Sequence, residues 1–205
     1  MKFIDLSVPL NEDTPVYPGD PVTSIRSHAA LEKDGYEVHV VSLGTHVGTH
    51  IDAPSHMLPG GKSLAQFPLE RFSGRGVYIK IEGNFDLEIV RTVPLAKDDI
   101  VLFDTGMSSV YYQPRYFHEY PPMTGAIANY LVEREVKMVG VDMCSVDYDP
   151  FSVHKILLAH DILIIENLTS LSRLQGQNFT IHAFPLPLQL DASPTRVVAE
   201  ILAPG

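Results

Sequence analysis

His46-Val-Gly-Thr-His50-Ile-Asp52-Ala-Pro54-Ser-His56 is the stretch on which the reading of this chain turns. Within eleven residues it offers three imidazoles and a carboxylate, a nitrogen and oxygen donor set that suits Zn²⁺, Mn²⁺ or a similar ion. Hydrophobic periodicity fails from Leu43 to Leu58, as expected of a site rather than a core. A straight strand rising about 3.3 Å per residue would hold His46 and His50 about 13 Å apart, too far for bonds of about 2.1 Å to one ion. A helix would bring them together, but Gly48, two threonines and Pro54 disfavour one. The chain is therefore expected to bend between the two histidines, with Gly48 supplying positive φ at little steric cost and Pro54 fixing the exit beyond Asp52. Burying these groups without an ion would leave much of their desolvation uncompensated.

A second half-site lies in Ser152-Val-His154-Lys-Ile-Leu-Leu-Ala-His160-Asp161-Ile-Leu-Ile-Ile-Glu166. Glu166 ends an apolar strand, from where a carboxylate reaches a pocket rim. His154 opens a helical pattern, so a helix-then-strand hairpin would return it to Glu166. His160 and Asp161 are rival ligands, and spacing alone does not choose between His154 and His160.

Around these segments the chain is an ordinary globular one. Its 205 residues, 45% hydrophobic and 20% charged, fit a single domain spanning 1–205. Fifteen Lys and Arg against 25 Asp and Glu give a formal charge of −10, which disfavours nucleic acid and anionic membranes as partners. Asp5 and Ser7 interrupt what would have to be a signal peptide, and no apolar run approaches a membrane span, so the expected location is cytoplasmic. The lone Cys144 agrees with a reducing compartment.

Strand patterns at 3–8, 24–28, 37–43, 76–81, 100–104, 137–141, 162–165, 179–184 and 196–201 outnumber helical ones at 124–136 and 151–160. The expected class is α/β and strand-rich, with few helices. The connections 11–22 and 106–122 mix polar and aromatic residues, as loops lining a pocket do.

The pattern His-x-Gly-Thr-His-x-Asp-x-Pro-x-His resembles the signature of the cyclase family of metal-dependent hydrolases, which includes bacterial kynurenine formamidase and isatin hydrolase. The resemblance extends to Ile4-Asp-Leu-Ser-Val-Pro-Leu10, Tyr17-Pro-Gly-Asp20, Gly140-Val-Asp-Met-Cys-Ser-Val-Asp147 and His154 through Asn167. It implies a cyclase-like swivelling β/β/α fold, assembled as a homodimer or higher homo-oligomer. It further implies that His46, His50 and Asp52 bind one metal and that Asp52 bridges to a second. His154 and Glu166, twelve positions apart, match the second-metal pair and displace His160. His56 matches the catalytic acid or base. The implied cofactor is Zn²⁺, two per subunit, with Mn²⁺ as the other candidate. Where kynurenine formamidases carry a substrate-packing Trp, this chain has Tyr17, which stacks with a smaller face and a hydroxyl needing a partner.

The activity expected is cleavage of an amide-type C–N bond by metal-activated water, as in the conversion of N-formylkynurenine to kynurenine and formate. A cyclic amide hydrolase or dehydrating cyclase would use the same site, on a small aromatic amide or carbonyl substrate. A non-catalytic protein stapled by its metal is the reading of another class, but structural zinc sites mostly close with four ligands rich in Cys. Cys144 lacks a recognised His partner motif, and no Gly-x-Ser-x-Gly elbow occurs. Ser145 and His118 remain pocket candidates, and Asp142 and Asp147 are read at least as readily as turn caps or surface residues as they are as support for the site.

Overall fold

The computed structural model describes residues 2–203. Among these, eleven strands form: β1 (Lys2–Asp5), β2 (Ser24–Ala29), β3 (Val38–Ser42), β4 (His50–Asp52), β5 (Ser73–Lys80), β6 (Ile100–Asp104), β7 (Met138–Val141), β8 (Leu163–Glu166), β9 (Phe179–His182), β10 (Ala192–Pro194) and β11 (Val198–Ile201). Helices α1 (Leu31–Asp34), α2 (Leu87–Arg91), α3 (Gly125–Glu133) and α4 (Ser152–Ala159) accompany them. Nine strands join one sheet in the order β1-β11-β9-β5-β6-β7-β8-β4-β10, and β2 pairs only with β3.

The centre of the sheet, β5 to β8, is parallel, and both flanks are antiparallel. Strands buried on both faces read as unbroken apolar runs, which is why β6 and β7 were legible. On β6, Val101 and Phe103 face a core shared with Ile127 and Leu131 of α3 and Leu157 of α4. Ile100 and Leu102 face a second core with Phe72, Phe179 and Ile181. The sheet turns a corner at β5, where Ser73–Arg75 pair with β9 and Gly76–Lys80 pair with β6. A Cβ at Gly76 would stand 2.0 Å from the Phe179 ring, so the corner closes only over a glycine.

The structure departs from the expected elements in identifiable ways. The run 3–8 stops as a strand at Asp5, because Leu6 donates its N–H to Val197 and accepts from Thr169, threading between two segments. The helix expected over 124–136 ends at Glu133, where Glu135 turns to φ +52°. β4 and β10 are strands that periodicity did not show. Each is three residues long, and β4 buries His50 and Asp52 on one face and Ile51 on the other. Among the described residues no helix is long and apolar enough to cross a membrane.

Candidate metal centre

Strand alternation builds the first half of the site. In β4, His50 and Asp52 share one face while Ile51 enters the second core. β4 pairs antiparallel with β8 in the register His50↔Glu166, Ile51↔Ile165 and Asp52↔Ile164, which sets Glu166 directly across from His50 on that face. Gly48, at φ +62°, makes the bend that returns His46 to the same place. Its carbonyl lies 2.9 Å from His50 Nδ1 and accepts from Asn167 Nδ2 at 2.9 Å, so the bend is stapled to the end of β8. Asn167 itself sits at φ +56°, a conformation asparagine tolerates well, and accepts from the buried Tyr116 hydroxyl at 2.8 Å.

Helix α4 brings the second half. His154 is 2% exposed, and its Nε2 lies 3.3 Å from Glu166 Oε1 and 3.9 Å from Asp52 Oδ2. Asp147 accepts the Val153 N–H through Oδ2 and the His154 ring through Oδ1, each at 2.6 Å. It therefore caps the helix and orients the ligand candidate with one carboxylate. His160 is exposed at the end of α4, its Nδ1 on the Ile156 carbonyl, and Asp161 pairs with Lys62, so neither rival enters the cluster. Asp142 is a turn cap, accepting from the Thr105 N–H and hydroxyl and from the Ser108 N–H.

All six predicted polar site residues thus converge. Asp52 Oδ1 is 2.9 Å from His46 Nδ1 and 3.3 Å from His50 Nε2, and His50 Nε2 is 3.5 Å from Glu166 Oε2. Ligand atoms of His50, Asp52 and Glu166 lie within 4.8 Å of one another, as do those of His46, Asp52 and His56. His56 stands beside the ligand set: its ring centroid is 4.1 Å from that of His46 and 6.1 Å from that of His154.

The short contacts lack hydrogen-bond geometry. His50 Nε2, both Asp52 oxygens and Glu166 Oε1 are buried and make none. Four such atoms facing one another would each cost about 1–3 kcal/mol. Their separations are those of donors sharing ions, since bonds of about 2.1 Å place neighbouring ligand atoms about 3–3.4 Å apart. The residues fit a metal centre.

Electrostatics point the same way. Burial opposes charge on His50, yet Asp52 and Glu166 outweigh it and lift the ring to about 10 when no ion is bound. His154 is likewise lifted against its burial to about 10 by Asp147, Glu166 and Asp52. Burial works against ionised Asp52, but His46 and His50 hold it well below the usual carboxylate range. Protons here stand where cations would compensate two buried carboxylates. His56 differs: burial, with His46 and His154 nearby, keeps it below an ordinary histidine despite Asp52 and Glu166.

Above the cluster opens a cavity of about 250 Å³, whose wall includes Tyr17, Met57, Phe117, Cys144, Ser145 and Phe151. Tyr17 and Phe117 meet edge-on, with centroids 6.2 Å apart. Both long loops therefore line the pocket, but the second does so through Phe117; His118 contributes a carbonyl to the Tyr148 hydroxyl instead. Asp191 was not anticipated. It lies 145 positions from His46, and its Oδ2 sits 2.9 Å from His46 Nε2 and 3.6 Å from His56 Nδ1.

A family model described as putative cyclase matches residues 4–148. The chain belongs to the cyclase family. An uncharacterized protein of Methanocaldococcus jannaschii is 35% identical to this cyclase-family chain over 203 residues, covering 97% of it and 99% of the relative. Kynurenine formamidase of Bordetella avium is 30% identical over 206 residues, covering 96% and 97%. A solved structure described as a potential metal-dependent hydrolase with cyclase activity has 26% identity and a TM-score of 0.79, covering 97% of this chain and 96% of its own. Isatin hydrolase A from Labrenzia aggregata shares the fold with a TM-score of 0.84 at 24% identity, covering 97% and 93%. These similarities establish the cyclase-like, strand-rich α/β fold and support a hydrolase with a metal cofactor.

Proposed function

We propose that this cyclase-family hydrolase is an arylformamidase, cleaving the C–N bond of an N-formyl aryl amine such as N-formylkynurenine with two divalent ions, Zn²⁺ or Mn²⁺, in its site. The observation that carries the reading is that the cluster of buried, unpartnered donor atoms opens directly into a cavity walled by Tyr17, Phe117 and Phe151. His46, His50 and Asp52 would hold one ion, and Asp52, His154 and Glu166 the other.

The ions supply Lewis acidity toward the carbonyl and lower the pKa of water toward about 7. The chain's own residues do the rest. Tyr17 and Phe117 receive an aromatic ring, and Met57 and Phe151 add to the apolar wall beside it. His56, held below the ordinary histidine range by burial, is neutral near pH 7 and accepts the proton of the attacking water. The same ring then returns that proton to the departing nitrogen, giving the free amine and formic acid, which releases its proton to solvent as formate, so the protein holds no net proton. A cyclic amide needs the same two proton transfers, and the fold shared with isatin hydrolase makes isatin the second substrate to try.

The test is a panel of N-formylkynurenine, isatin and simple aryl amides, assayed with Zn²⁺ and Mn²⁺ before and after chelation. The expected result is metal-dependent formamide cleavage that chelation abolishes while the chain stays folded. Inactivity on every member would sink the amidase reading, and unfolding on chelation would favour a stapling ion instead. The homodimer implied by the resemblance is tested by sedimentation.

A further inference from the structure

His46 is placed between two carboxylates, and its two ring nitrogens meet them differently. Nε2 forms a hydrogen bond with Asp191 Oδ2 at 2.9 Å. Nδ1 comes as close to Asp52 Oδ1, at 2.9 Å, but that oxygen accepts no hydrogen bond. A carboxylate can only accept, so with Nδ1 given to an ion the remaining His46 proton would lie on Nε2, toward Asp191. A neutral imidazole then has its lone pair on Nδ1, facing the buried oxygen, an arrangement that is repulsive unless a cation is shared between them.

Asp191 is fixed in place to do this. It immediately precedes β10, whose register sets Ala192 opposite Asp52, and the Asp191 carbonyl accepts the Ala53 N–H at 2.8 Å. Its Oδ1 accepts from the Thr45 hydroxyl at 3.3 Å, which leaves Oδ2 for the imidazoles. The same Oδ2 is 3.6 Å from His56 Nδ1, and the His46 and His56 rings lie 4.1 Å apart.

We infer that Asp191 is a positioning residue of the metal centre: by taking the Nε2 proton of His46 it selects the tautomer that presents Nδ1 as a ligand, and it orients the neighbouring His56 ring. The inference rests on the metal-hydrolase reading above and adds to it a residue from the opposite end of the chain. Carboxylates that accept from the free nitrogen of a ligating histidine typically contribute 10- to 100-fold in metal affinity or activity.

The experiment compares wild type, Asp191→Ala and Asp191→Asn for Zn²⁺ affinity by chelator competition, for kcat and KM, and for the urea midpoint of the metal-free protein. Because the Ala53 bond uses the Asp191 main chain, both variants retain the strand register. Asp191→Ala is expected to bind Zn²⁺ 10- to 100-fold more weakly and to lose kcat with little change in KM. Asp191→Asn, which keeps an oxygen for the Nε2 proton, is expected to recover part of both. A loop-packing role would move only the urea midpoint, and Zn²⁺ affinity within twofold of wild type in both variants would overturn the inference. Failure of the wild-type chain to bind Zn²⁺ or Mn²⁺ would instead overturn the metal reading and this inference with it.

Discussion

Replacing Asp147 with alanine removes two contacts that one carboxylate makes, and their magnitudes can be separated. Loss of the acceptor for the Val153 N–H uncaps α4, at about 1 kcal/mol. Loss of the acceptor for His154 Nδ1 leaves a buried N–H unsatisfied, at about 1–3 kcal/mol. The sum, about 2–4 kcal/mol, is a large part of a typical stability of about 5–15 kcal/mol but leaves the chain folded. With an ion bound there is an additional loss, because a histidine without its outer partner ligates 10- to 100-fold more weakly. That factor is about 1.4–2.7 kcal/mol of ion-dependent stabilisation. Urea unfolding of wild type and Asp147→Ala, each with chelator and with saturating Zn²⁺, measures the two parts. The variant should lose about 2–4 kcal/mol without the ion and more with it. Asp147→Asn should fall between, since an amide offers one acceptor oxygen and turns its NH₂ toward the other donor. Equal losses with and without Zn²⁺ would make Asp147 a helix cap alone and refute His154 as a ligand.

Replacing His56 with alanine should lower turnover roughly 10²- to 10⁴-fold while Zn²⁺ content, read by atomic absorption, stays at the wild-type level. Full turnover with the ions in place would remove His56 from the mechanism, whereas loss of an ion would make it a ligand, as its nearness to His46 and Asp52 allows. Metal-free protein should lose stability as pH rises. His50 and His154 are lifted from 6.5 to about 10 in the fold, so their contribution is complete below about 6.5 and declines as pH climbs toward 10. Zn²⁺ affinity should rise over the same window as fewer protons compete, and urea midpoints in chelator that stay level from pH 6.5 to 9.5 would contradict this. Burial, reinforced by Glu166, pushes the Cys144 thiol well up, so it should resist alkylation at pH 8 in the native state. Cys144→Ala should keep its activity, and a hundredfold loss with the ions still bound would revive a thiol nucleophile.

How much of the site was legible depends on the range over which each constraint acts. The donor set His46, His50, Asp52 and His56, and the need for a bend at Gly48, follow from residue types and bond lengths within eleven positions, and the observed φ of +62° is that bend. The buried strands β6 and β7 announced themselves because a strand covered on both faces must be apolar throughout. β4 did not, because its two buried polar residues leave one isoleucine as the only apolar signal. Phe117 rather than His118 faces the cavity because the turn at Pro114–Phe117 aims successive side chains differently, and no period in the sequence records that.

The sequence by itself therefore determined the chemistry on offer: nitrogen and oxygen donors, a bend, an apolar frame, and a family pattern extending to His154 and Glu166. Only the tertiary structure decided which donors meet. Residue type and local backbone preference act over a few positions, whereas strand order and register are set by burial summed over the whole sheet. That sum places Glu166 opposite His50 and turns His160 outward. It also carries Asp191, from the far end of the chain, against His46.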